Sequence, residues 1–256
     1  FKGCKSHNIT ILMVLPSIES ATNFVLGTVP KKNYDMQYGQ ERIRNLHWQQ
    51  ALERFESTET ISKEFLSQVE NTFLNTDTFS PDKFAPFELR EIFSYLKESH
   101  SYYLDICLPK IENTLHQLYA KFADQYISLG VLLLFIEKYK AELVKHILYE
   151  EQVLFRFVEK LLSGTYSSQN KDFVINHFLH THNDNVILYL DELRQDLVRF
   201  DNDLKENLVF KVLFNQLESF QHDLLIHGLI EDNVFIDKIL MYINENYEQL
   251  PLGVKH

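Results

Sequence analysis

Cysteine is nearly absent from this sequence. Cys4 and Cys107, alone in 256 residues, build no disulfide framework, and no Cys-x-x-Cys pair offers a metal knuckle. That usage fits a reducing cytoplasm. Turn-formers are scarce too: 7 Gly and 6 Pro are too few for a many-stranded sandwich or barrel, so the chain reads as all-α. Long apolar runs are missing, since the longest, residues 9–15 and 129–136, fall short of a bilayer span. Lys2 and Lys5 ahead of the first run faintly suggest a secretory signal, but Pro16 ends the stretch and no small-x-small site follows. Positive charge is in deficit, with 25 Lys+Arg against 36 Asp+Glu and a net charge of −11. That balance disfavours nucleic acid or an anionic membrane as the main partner. Residues 1–54 run against it, carrying +3 while the remainder carries −14. What is present, 45% hydrophobic and 24% charged residues, is the composition of a packed globular protein and excludes disorder.

The organisation follows from the breakers. Residues 77–86 hold Pro81 and Pro86 without apolar periodicity, and divide a small N-terminal domain, residues 1–80, from a larger one over 86–250. Upstream, residues 40–55 and 58–74 read as two short amphipathic helices. Thr58 or Thr60 would cap the second, with Phe65, Leu66, Val69 and Phe73 buried. Downstream, four long helices are predicted over about 87–122 (interrupted at Pro109), 129–162 (closed by Gly164), 171–200 and 205–248. Each carries an apolar stripe, and the connections are short, the pattern of a four-helix bundle.

Two of those helices carry an internal repeat. After His146 and again after His227 come Leu at +2, Glu at +4, an acid at +5, an amide at +6, Val at +7 and an apolar residue at +8. On an α-helix i and i+4 share a face, so His146 with Glu150, and His227 with Glu231, each project an imidazole and a carboxylate to one point. Carboxylates in apolar stretches need a cationic partner. A pair of metal ions bridged by the two carboxylates is the natural compensation. The first helix adds His100. The third offers His177, His180 and His182, of which His182 shares its face with Leu179 and Val186, and that apolar company favours it.

The order His100 … His146-x3-Glu150 … His182 … His227-x3-Glu231 resembles the hemerythrin-like (HHE cation-binding) domain. Glu150-Glu-Gln-Val-Leu-Phe155, and the Leu-Pro pair ending nine residues past His100, are similar to its repair-of-iron-centres branch. The resemblance covers about residues 86–247 and implies an up-down four-helix bundle holding two non-haem, carboxylate-bridged iron ions. His100, His146, His182 and His227 would be terminal ligands, and Glu150 and Glu231 the bridges. Zn or Mn would also suit imidazole and carboxylate donors. Val186 stands where an oxygen-carrying hemerythrin has a further His. That leaves positions for water, NO, O2 or peroxide and favours a sensing or repair role over oxygen carriage. The repair branch also has an N-terminal cysteine pair after a Tyr-Asp-Met/Ile-x-Tyr motif. Here Tyr34-Asp-Met-Gln-Tyr38 is followed by Gly39 and Gln40, and the thiols are missing.

Three functions compete on these residues. One is a di-iron protein of the NO, O2 or oxidative-stress response, with a diatomic ligand and iron–sulfur proteins as partners. A second is an NO or peroxide reductase. The third is a metal-free helical interaction module, which would leave Glu150 and Glu231 buried uncompensated. Whether the protein is an enzyme stays open. Among the other candidates, Glu151 and Asp232 should rotate about 100° off the metal face, Tyr102, Tyr103 and Tyr149 read as core or rim, and His7, His47 and His116 have no supporting neighbourhood.

Overall fold

Apolar residues recur every three or four positions through most of the chain, and the described residues answer with helices alone. The computed structural model describes residues 47–165, Leu190 and residues 202–248, all within one unit, Tyr38–His256. No strand occurs among them. Residues 47–55 and Lys63–Leu74 form two short helices. The first bundle helix runs Leu89–Tyr102, Tyr103–Cys107 and Leu108–Phe122. The second runs Ser128–Glu150, Glu151–Phe155 and Arg156–Leu162. The last follows a short turn of helix at Asn202–Lys205 and runs Leu208–Ile230, Glu231–Phe235, Ile236–Ile243 and Asn244–Glu248. The helix predicted over 171–200 lies outside the described residues apart from Leu190, which is helical and buried.

Local chemistry sets the ends. Gly164 takes φ 73°, and the N–H of Thr165 bonds back to Lys160 O at 3.0 Å, closing the second helix as its glycine predicts. Asn207 caps the last helix, its side chain accepting from the N–H of Val209 at 2.9 Å. The cap of Lys63–Leu74 is Ser62 rather than Thr58 or Thr60: its hydroxyl accepts from Phe65 N–H at 3.1 Å, and its own N–H is held by Glu91 Oε1 at 2.7 Å. A tertiary bond thus chooses among three hydroxyls that sequence alone leaves equivalent. Pro86 does not open the first bundle helix. A turn, Phe87 N–H to Phe84 O, comes first, and the helix begins at Leu89.

Pro109 sits inside the first helix without breaking it. A proline has no N–H and crowds the carbonyl four residues back. The chain loosens in the turn just before it, where Leu108 N–H reaches five residues back to Tyr103 O. This π-turn, Tyr103–Cys107, absorbs the misfit.

Leu108–Phe122 packs against both Ser128–Glu150 and Leu208–Ile230, and Lys63–Leu74 packs against Leu208–Ile230. Trp48, Phe55, Phe65 and Phe73 of the N-terminal helices join Tyr95, Tyr102, Leu143, Phe220 and Ile239 in one apolar cluster. The predicted inner face Phe65, Leu66, Val69 and Phe73 is buried. No helix of the described residues is long and apolar enough to cross a membrane.

Candidate metal centre

The sequence repeat is also a backbone repeat. Glu150 ends an α-helical stretch and is followed by the π-turn Glu151–Phe155, while Glu231 opens the π-turn Glu231–Phe235. The first helix has its π-turn just after His100 and Tyr102. Wider turns of this kind concentrate at functional sites, where they re-aim side chains.

Glu150 is at the centre. It is fully buried, with Oε1 2.7 Å from His146 Nε2 and Oε2 3.1 Å from His100 Nε2, so each carboxylate oxygen faces a different imidazole. From the last helix, His227 Nε2 lies 3.6 Å from Glu231 Oε2, and both residues are buried. The His100 and His227 rings stand 5.0 Å apart. Donor atoms of His100, Glu150 and His227 fall within 4.8 Å of one another, close enough to hold one metal ion. His182, with His177 and His180, lies outside the described residues.

The donor set suits a cation. It is buried, combines imidazole nitrogen with carboxylate oxygen, and leaves both His100 Nδ1 and His227 Nδ1 with no hydrogen-bond partner among the described residues. The charge pattern agrees. Burial alone would push His100 down, but the adjacent Glu150 and Glu151 carboxylates and the charge of Glu231 raise it to about 9. His227 goes the other way, to about 3, because of burial and the adjacent positive His100. Two imidazoles this close disfavour both being positively charged.

Aromatic rings wall the site from water. Phe155 stacks on His100 with centroids 4.9 Å apart and planes 10° apart, and Phe93 and Phe235 pack against Phe155 at 5.2 and 6.1 Å. Tyr103 stands edge-on to His227 at 5.7 Å.

A family comparison now applies. The hemerythrin HHE cation-binding domain matches residues 91–239, more than half the chain. The chain belongs to that family. Its fold is therefore the all-α hemerythrin-like bundle, and cation binding by the His/Glu cluster agrees with the family's description. No curated protein and no solved structure matches it.

Sequence reasoning missed one part of this hemerythrin-domain site. Asp223 precedes His227 by one helical turn and is 2% exposed. Tyr103 OH donates to its Oδ1 at 3.3 Å, and His47 Nε2 lies 2.9 Å from its Oδ2. His47 also packs edge-on to Tyr102 at 5.8 Å, so its neighbourhood is well furnished. The Asp223-x3-His227 spacing was visible as an acid in an apolar helix, but its partner was not. Glu151 also departs from the expected geometry: its Oε1 comes to 3.4 Å of His100 Nδ1 while a third of the side chain stays exposed. Asp232, its counterpart in the repeat, is exposed. Tyr102 and Tyr103 are core, and Tyr149 is exposed. Burial pushes the Cys107 thiol up, so it is no nucleophile.

Proposed function

We propose that this hemerythrin-domain protein holds two non-haem iron ions with His100, His146, His182 and His227 as terminal ligands and Glu150 and Glu231 as bridges, and acts in the response to NO, O2 or oxidative stress. The observation that carries the reading is Glu150: fully buried, with one carboxylate oxygen toward each of two imidazoles, it is disposed to bridge. The iron would supply redox electrons and coordination positions open to a diatomic molecule. The chain's own residues orient and protect. Phe93, Phe155 and Phe235 exclude water, and Tyr103 fixes one face of His227. Cytoplasmic location, a diatomic ligand and a role in iron–sulfur repair, as in the repair-of-iron-centres branch, belong to the same proposal. So does the division of labour in which residues 86–250 carry the centre, while residues 1–80 serve it, their described helices packing into the same apolar cluster.

Iron content of about two per chain, with the optical spectrum of a carboxylate-bridged pair that shifts on adding NO, is the expected result. Purified protein that takes up no iron and shows no shift overturns the reading. Catalytic turnover of NO or peroxide by the reduced protein would make it a reductase instead.

A further inference from the structure

Val212, Asn215, Gln216 and Ser219 share one face of the last bundle helix, at i, i+3, i+4 and i+7. Three of the four are polar, and Ser219 is 2% exposed, whereas Leu213, Leu217 and Phe220 beside them are buried in the core. That face does not pack shut. It borders a cavity of about 510 Å³, bounded elsewhere by His47 and Gln50 and by the stretch of the first bundle helix from Tyr102 to Ile111. The same stretch holds the π-turn and Pro109, so this wall departs from a regular helix. A space of this size suits a small molecule. None of His100, His146, Glu150, His227 and Glu231 lines it, so it is separate from the candidate metal centre.

The polar groups of the cavity make complementary demands. Among the described lining residues none is acidic, and Lys110 supplies a positive charge. Its Nζ donates to Gln50 Oε1 at 2.7 Å, joining two exposed residues at the rim. Gln216 Oε1, by contrast, is buried and has no hydrogen-bond partner among the described residues. A buried acceptor without a donor is costly, and the missing donor points to an occupant. Tyr102, Ile111 and Phe220, all buried, add apolar wall. We propose that this cavity binds a small organic carboxylate that also carries a donating O–H or N–H group. The carboxylate pairs with Lys110, the donor with Gln216 Oε1, and the carbon body covers the apolar wall. An inorganic anion would leave that wall wet, and a simple alcohol would leave the ammonium without a counter-charge.

4-Hydroxybenzoate supplies the charge, the apolar body and the donor, and serves as the probe. Titrated into the 15N-labelled full chain, it should shift the side-chain amide signals of Gln216 and Gln50 saturably, with a Kd of about 5 mM or tighter. Benzoate, which lacks the donor, and 4-hydroxybenzamide, which lacks the charge, should each bind about 2- to 10-fold more weakly. Lys110→Ala, followed at Gln216, should bind the acid and its amide equally but still prefer the hydroxylated acid to benzoate. Gln216→Met keeps the volume and removes the acceptor. Followed at Gln50, it should bind 4-hydroxybenzoate and benzoate equally but still prefer the acid to its amide. Absence of a saturable shift at Gln216 overturns the proposal, as does either preference surviving the loss of its residue. Should Gln216→Met fail to fold, Lys110→Ala alone decides, because it changes an exposed side chain and leaves the apolar wall intact.

Discussion

His47 and Asp223, 176 positions apart in sequence, meet at 2.9 Å. The contact ties the first described helix to the helix that carries His227. Tyr103 completes it, since its hydroxyl donates to the other Asp223 oxygen and its ring rests on His227. The N-terminal segment is thereby mechanically connected to the candidate metal centre through two side chains.

That connection has a measurable strength. Removing one partner of a largely buried hydrogen bond leaves the other unsatisfied, at a cost of about 1–3 kcal/mol. His47→Ala and Asp223→Ala are each expected to lose stability in that range by urea denaturation of the metal-free protein. The double variant should lose less than the sum, because the second substitution has no bond left to break. Strictly additive losses would mean the contact contributes nothing.

Glu150 and Glu231 lead to a different prediction. Both are buried, at 0% and 1% exposure, on helices whose apolar stripes are built from other residues. Glu150→Ala and Glu231→Ala should each lose most of the bound metal while circular dichroism stays helical. A bridging carboxylate bonds both ions, whereas a terminal His bonds one, so the losses should exceed those from His146→Ala. Wild-type metal stoichiometry in the double variant would rule out both as ligands.

Helical periodicity made most of the architecture legible. The second helix was bounded to within a residue or two because Gly164 marks its end, and the i, i+4 pairs His146/Glu150 and His227/Glu231 are in contact as their spacing requires. The unread parts share a cause: each depends on a partner distant in sequence or on a backbone departure from 3.6 residues per turn. Ser62 caps its helix because Glu91 holds its N–H. His47 has a role because Asp223 comes to it. Glu151 comes to 3.4 Å of His100 Nδ1, a residue 51 positions away that ideal-helix arithmetic on its own helix cannot anticipate.

The helix predicted over 171–200 lies outside the described residues apart from Leu190. On the predicted helix His182 would share a face with Leu179 and Val186, whereas His180 would share one with Asn176, His177 and Asp184. His182→Ala should therefore perturb the optical spectrum of the iron-loaded protein strongly, and His177→Ala or His180→Ala weakly. The reverse order would reassign the ligand by about half a helical turn.

Metal uptake should release a proton. In the metal-free protein burial presses the His100 imidazole toward neutrality, but the carboxylates of Glu150, Glu151 and Glu231 prevail and hold its pKa at about 9, above the ordinary 6.5. His100 is thus an imidazolium at pH 7, with a proton where a metal ion would sit. The sign for folding follows from the raised value. The charged cluster stabilises the metal-free fold fully below pH 6.5, and that contribution fades as pH rises through about 9. Metal binding has the opposite dependence, because coordination needs the nitrogen lone pair and must first expel the proton. His227, depressed to about 3, is already neutral and has none to give. Apparent zinc affinity should accordingly rise about tenfold per pH unit between pH 7 and 9 and then level off. Calorimetric titrations at pH 7 in two buffers of different ionisation enthalpy should report about one proton released per chain. Proton release unchanged by His100→Gln would show that the charge on this imidazole does not compete with the metal.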